Sequence, residues 1–424
     1  MMPLGGILPA VTCSAQSTMV TGTLPRQHGI VGNGWYFRKQ SEIWLWRQSN
    51  RLVAGEKVWE AARRRLPGFT CAKLFWWYNM YSSADWSITP RPTYPADGRK
   101  IPGIYTQPHD LKYTLERTLG PFPLFQFWGP GANLTSSRWI ADAARLVIDQ
   151  HHPTLTLVYL PHLDYDHQRY GPDDSRSRAA LRAVDGLVAD LVADARRAGA
   201  DVLVVSEYGI RPVRRRVDIN RALRRAGLLA IQETVAGELL DAGMSRAFAV
   251  ADHQVAHVYV RDPADVGVVR TILERLDGVT DLLDDKGKQA VGLDHQRAGE
   301  LVALAAPDAW FTYYYWLDDA KAPDFAPTVE IHRKPGYDPA ELFLAQGHRT
   351  KLRLAYRLLQ KTLGFRYVMD VIPLHGEWVR GSHGRPSADP VQGPVLIGST
   401  GALRPAKPPA MTDVFALILA HLDR

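Results

Sequence analysis

Two cysteines in 424 residues, Cys13 and Cys71, are too few for a disulfide framework and suit a reducing cytoplasm. No run of eighteen apolar residues occurs, so no membrane-spanning helix is expected. The opening ten residues are too short and too uncharged for a secretory signal. The net charge is +7, yet Arg is scattered along the chain with Asp and Glu. The longest basic cluster, Arg214 to Arg216, has the size of a solvated loop and not of a nucleic-acid patch. Polymeric nucleic acid and membranes are therefore set aside as partners, and a small anionic molecule is favoured.

What is present is an ordinary globular composition, 46% hydrophobic and 22% charged. The length suits one large domain over 1–424, with a probable cap or insert at 211–300. From 136 onward the pattern alternates. Residues 136–151 read as a helix with Ile140, Ala143, Ala144, Val147 and Ile148 on one face, and 154–161 as a buried strand. Residues 177–200 read as a second helix and 201–209 as a second buried strand. This β–α–β order predicts an α/β fold, a mostly parallel central sheet with helices on both faces. In such folds functional groups gather at the carboxyl ends of strands. The first strand runs into Pro161–Pro172, the second into Ser206-Glu207-Tyr208-Gly209.

Residues 32–130 are aromatic-rich and irregular, as loops packed over a sheet would be; most of these rings are expected in the core and a minority against a substrate. Asn33 is the best polar candidate for a pocket there. Residues 247–260 alternate as one strand carrying Asp252, His253 and His257. His253 beside Asp252 is a reserve metal ligand, or an ion-paired core histidine.

The densest motif lies at 9–31, PAVTCSAQSTMVTGTLPRQHGIV. A small-residue run meets a helix start and is closed by Gly22 and Pro25. A hydroxyl there stands at a helix N-terminus, which favours an anion, although a bare N-cap serves equally well. The run resembles the nucleophile segment of the nucleotide pyrophosphatase/phosphodiesterase branch of the alkaline phosphatase superfamily. The resemblance implies an alkaline phosphatase-like fold and Thr12 as nucleophile and metal ligand. Thr21, Gly22, Pro25, His28 and Gly29 then fall on scaffold positions. It further implies two divalent metals, Zn or, given oxygen-rich ligands, Mn or Mg. Activated Thr12 would attack phosphorus and form a phospho-threonine.

Carried along the chain, the resemblance places Asp164, Glu207, Tyr208 and His383 as ligands. Gln168 stands where the family has a histidine, with His167 one residue earlier and His332 further on as weaker candidates. Four positions depart from the pattern: Ala15 for an asparagine, Gln168 and Tyr208 for histidines, Glu207 for an aspartate. A strand ending in a metal-binding Asp should also precede Thr12, yet the eleven residues before it carry no acid. The expectation is an internal start, with one strand missing from the sheet. The implied reaction is hydrolysis of a phosphodiester or nucleotide pyrophosphate. A phosphonate, a phosphomonoester, or a binding relative with an impaired site is the alternative.

Overall fold

The computed structural model describes residues 1–96, 99–400 and 405–423. Strand β1 (Met2–Pro3) leads to helix α1 (Thr12–Thr21), and a hairpin of β2 (Gly34–Phe37) and β3 (Glu42–Leu45) follows. Next come β4 (Cys71–Leu74), β5 (Trp86–Pro90) and β6 (Ile104–Gln107). The predicted alternation then appears as α2 (Leu134–His151), β7 (Leu155–Val158), α3 (His162–Tyr170), α4 (Ser175–Arg197) and β8 (Leu203–Val205). The span 247–305 supplies β9 (Ala247–Asp252), β10 (Val255–Val260), β11 (Val279–Leu283) and β12 (Leu301–Ala305). The chain closes with α5 (His348–Thr362), β13 (Val395–Gly398) and α6 (Asp413–Leu422).

The α/β class and a mostly parallel four-stranded sheet are as expected; a second, antiparallel sheet was not foreseen. β4 pairs in parallel with β5 and β7, while β6 joins β5 antiparallel. β8, β13 and β1 form a separate antiparallel trio in which Met2 faces Leu396. The reason is connectivity: β13 returns from the far end of the chain and lies between β1 and β8, reversing both neighbours.

The stretch 247–260, expected as one strand, is a hairpin. Asp252 faces Val255, so His253 and Gln254 form a two-residue turn, and His253 takes the positive φ of 62° that such turns demand. β10 then pairs with β12 and β12 with β11. This sheet does not have a core of its own. Val250, Ala251 and Val255 pack in one cluster with Cys13, Ile30, Val31 and Trp35, so this sheet shares its core with the segment 9–31. Most of the aromatic stretch is core as expected, with Trp35, Trp76, Trp77 and Tyr78 buried. Cys13 and Cys71 are free and buried. No helix among the described residues is long and apolar enough to cross a membrane.

One buried cation tests the packing. Lys73 in β4 is 1% exposed; its Nζ donates to the Tyr78 carbonyl at 3.2 Å and lies 4.5 Å from the centre of the Trp59 ring. Burial lowers its pKa from 10.5 to about 7. The unfolded chain keeps this proton up to its ordinary pKa, so stability rises as pH climbs from about 7 towards 10.5. Lys73→Met is expected to stabilise the protein by roughly 1–3 kcal/mol at pH 6.5, with the gain shrinking towards pH 10. Urea unfolding at the two pH values checks this; an equal gain at both would show that the charge is not the cause.

Candidate active site

Helix α1 is buried along its full length, so each polar side chain on it needs a partner. Ser14 Oγ donates to the Ile30 carbonyl at 3.0 Å, and Thr21 Oγ1 to that of Ser17 at 2.7 Å. His28 Nδ1 accepts from the Ile30 amide at 3.1 Å, which leaves Nε2 to donate to Thr18 Oγ1 at 3.0 Å. Burial lowers the His28 pKa to about 3, so the ring is neutral. Gly22 ends the helix at φ 65° and Gly29 ends the next short turn at φ 76°, a region that favours glycine. The motif's spacing thus has a structural cause. It folds 12–31 into a helix, a turn and a return strap laced by side-chain hydrogen bonds.

Thr12 is the first helical residue, 3% exposed, and its side chain makes no capping bond. Its Oγ1 lies 3.0 Å from the Tyr208 hydroxyl. Tyr208 in turn donates to Asp164, at 3.0 Å to Oδ2 and 3.2 Å to Oδ1. Because Tyr208 gives its proton to Asp164, Thr12 is the donor in the first bond. Asp164 stands in the first turn of α3, just past β7; Glu207 and Tyr208 stand just past β8. Both strand ends therefore meet at Thr12. Gln16, one turn along α1, holds Glu207 by an Nε2–Oε1 bond of 2.5 Å, and its Oε1 accepts from the Trp77 amide at 2.7 Å.

Burial dominates the electrostatics. It raises the Asp164 pKa to about 7, against a smaller lowering by the Tyr208 bond. It raises Glu207 to about 8, with the Gln16 bond opposing and Asp164 adding. Burial also drives up the phenols of Tyr208 and Tyr159, both close to Thr12. Near neutral pH the two carboxyls thus hold protons that ordinary carboxylates would have lost.

Behind Thr12 lies a buried hub. Asp252 accepts from the Asn33 amide at 2.8 Å, from Asn33 Nδ2 at 3.0 Å and from His253 Nδ1 at 2.9 Å. Asn33 Oδ1 accepts from the Cys13 amide at 3.0 Å. Asn33 is 1% exposed, with both side-chain ends engaged; it braces the start of α1, where the sequence suggested a substrate contact. The ring of Tyr208 stacks on His383 at 3.6 Å, His383 on His253 at 3.7 Å, and His253 on Tyr337 at 3.6 Å. His383 Nδ1 bonds the Ala10 carbonyl at 2.8 Å. The Nε2 atoms of His253 and His383 are buried without a partner.

Of the predicted residues, Thr12, Asp164, Glu207, Tyr208, His383 and His253 come together. Gln168 adjoins them through Tyr337, whose hydroxyl donates to its Oε1 at 2.7 Å. His167 is half-buried on α3, and no hydrogen bond or ring contact among the described residues ties it to the group. His332 sits on an exposed turn beside Glu330 and Arg47, outside the group. Sequence reasoning missed Gln16, Tyr159, Asp252 as the hub, and Tyr337.

The donors do not make up the two-metal centre that the resemblance implies. Among the described residues, no three His, Cys, Asp or Glu side chains surround one point as an ion requires. Tyr208, where the resemblance expects a nitrogen ligand, has its ring flat against His383, at 6° between planes. Gln168, where it expects another, has its Oε1 taken by Tyr337.

The family model for type I phosphodiesterase / nucleotide pyrophosphatase matches residues 2–338. No curated protein matches the sequence. Among solved structures, phosphonoacetate hydrolase from Sinorhizobium meliloti 1021, in complex with phosphonoformate, superimposes with a TM-score of 0.60 at 14% identity, covering 99% of this chain and 87% of that one. Murine ectonucleotide pyrophosphatase / phosphodiesterase 5 does so with a TM-score of 0.57 at 13% identity, covering 99% and 86%. The human counterpart gives 0.57 at 12%, with the same coverage.

Proposed function

The chain belongs to the type I phosphodiesterase / nucleotide pyrophosphatase family, and from that premise we propose that it hydrolyses a phosphodiester or nucleotide pyrophosphate with Thr12 as nucleophile. The observation that carries this is the hydrogen-bonded series Thr12–Tyr208–Asp164 at the start of a buried helix. Thr12 Oγ1 attacks phosphorus, and the bond from phosphorus to the leaving oxygen breaks. In the ionised form of Asp164, which grows as pH rises through its pKa of about 7, the Thr12 proton passes to Tyr208 as the Tyr208 proton passes to Asp164. The leaving oxygen takes a proton from solvent, which reaches the half-buried side of Asp164, Glu207 and Tyr208. Water then attacks the phospho-threonine and releases a proton to solvent, the phosphorus–Oγ1 bond breaks, and Asp164 returns its proton through Tyr208 to Oγ1. The amino end of α1 supplies partial positive charge for the phosphoryl oxygens.

The test is hydrolysis of bis-p-nitrophenyl phosphate by the full chain, in chelator and with added zinc, manganese or magnesium, with acid quench and mass spectrometry of the peptide containing Thr12. Phosphate on Thr12 is the expected result; turnover without it would discard the covalent route. Tyr208→Phe is expected to lower kcat about 10²-fold or more with little change in KM, the usual scale for a lost acid–base partner. An unchanged kcat would remove Tyr208 from the proton path. A phosphonate is the second reading, favoured by the fold shared with a phosphonoacetate hydrolase. Phosphonoacetate in the same assay distinguishes the two.

A further inference from the structure

Helix α5 has no counterpart in the chemistry described above. From Leu342 to Met369 the sequence carries six Lys or Arg and no Asp or Glu. Within it, Leu352, Tyr356, Leu359 and Leu363 follow one another at spacings of four, three and four residues, one stripe along a helix. That stripe does not face the body of the protein: the four side chains are 72%, 57%, 55% and 62% exposed. Phe365, just beyond, is 63% exposed. The inward contact is made by Leu354, which packs on the cluster of Ala340, Val371 and Ile372. Arg353 and Arg357 pair with Asp370 at the base of the helix, while Lys351 and Arg366 are exposed. The helix rises beside a cleft of about 610 Å3 whose lining includes Leu344, Gln346, Arg176 and Arg380.

We propose that α5 docks this protein onto an anionic phospholipid surface, with the Leu352–Tyr356–Leu359–Leu363 stripe in the acyl boundary and the cations among the headgroups. Charge selects this occupant. A second copy joined through the same face would bring the exposed Lys351 and Arg366 of both copies together, which repel. A bilayer with acidic headgroups supplies both complements at once, an apolar boundary for the stripe and a negative layer for the cations. The sequence set membranes aside because no spanning run exists, and a helix lying in the interface needs none. The proposal is independent of the reaction assigned to Thr12, and its readout is binding.

The test is flotation of the full chain with vesicles of phosphatidylcholine containing 30% phosphatidylserine, against pure phosphatidylcholine. At least tenfold more protein is expected on the acidic vesicles, with release in 0.5 M salt. Leu352→Glu/Leu359→Glu is expected to abolish flotation while leaving the melting temperature unchanged. A second measurement labels Leu359→Cys with an environment-sensitive dye, since both native cysteines are buried; a blue shift on adding acidic vesicles is expected. No flotation of the native chain at 50 mM salt would overturn the proposal. So would undiminished flotation of the double variant, an unshifted dye, or a native dimer in sedimentation that the double variant loses.

Discussion

Thr12→Ala is expected to lose at least 10³-fold in kcat/KM on a phosphodiester, and to leave no phosphorylated peptide. The expectation is large because the attacking atom itself is removed, and neither Tyr208 nor Asp164 can replace it at that point. The structural loss is small by contrast. Thr12 makes no helix-capping bond, and its hydroxyl contributes one hydrogen bond, worth about 1 kcal/mol. The melting temperature should therefore move by only a few degrees. Thr12→Ser keeps the hydroxyl and should retain most of the activity. Comparable rates for Thr12→Ala and the native chain would end the nucleophile assignment, whatever the substrate.

Asp252→Ala is expected to be the most damaging change outside the reacting group, about 3–5 kcal/mol in unfolding free energy. The carboxylate is 3% exposed and satisfies three buried donors: the Asn33 amide, Asn33 Nδ2 and His253 Nδ1. Its removal leaves all three without a partner in a dry place. The damage also reaches the chemistry, because Asn33 holds the Cys13 amide at the start of α1. Activity should fall together with stability. Asp252→Asn keeps one acceptor but turns an NH2 group towards donors, so an intermediate loss is expected. Urea midpoints for the three proteins check the order; a native-like midpoint for Asp252→Ala would show that the hub carries no strain-bearing role.

How far this site was legible depends on the range over which each contact acts. Thr12, Asp164 and Glu207–Tyr208 were singled out by the family resemblance, which short local motifs carry, and each lies where a helix starts or a buried strand ends. The scaffold residues of 12–31 were readable for the same reason: Thr18 meets His28, and Ser14 meets Ile30, within one short stretch. The hub was not. Asn33 and Asp252 are 219 residues apart, and nothing local tells an asparagine that braces a helix from one that binds a substrate. His253 was misread for a related cause. Alternation continues through Asp252–Val255, so a hairpin and a single strand present the same pattern, and only pairing across the turn separates them. The antiparallel trio was not foreseen because the strand that reverses the order, β13, comes some two hundred residues after its neighbour β8. Gln16 looked like an ordinary helix residue until the end of β8 arrived beside it.

The burial of α1 has a consequence for how such a chain can diversify. All ten of its residues, Thr12 to Thr21, are enclosed, so Thr12 is carried by a buried helix and not by a loop. Substitutions that would shift Thr12 must also disturb the core and are purged for stability before they are tried for chemistry. Variation is left to exposed positions of the aromatic stretch, such as Tyr81, Tyr94 and Tyr113, because Asn33, Trp77 and His253 are tied to the helix or to its hub. Descendants of this chain are thus free to change there, while Thr12 stays where folding puts it.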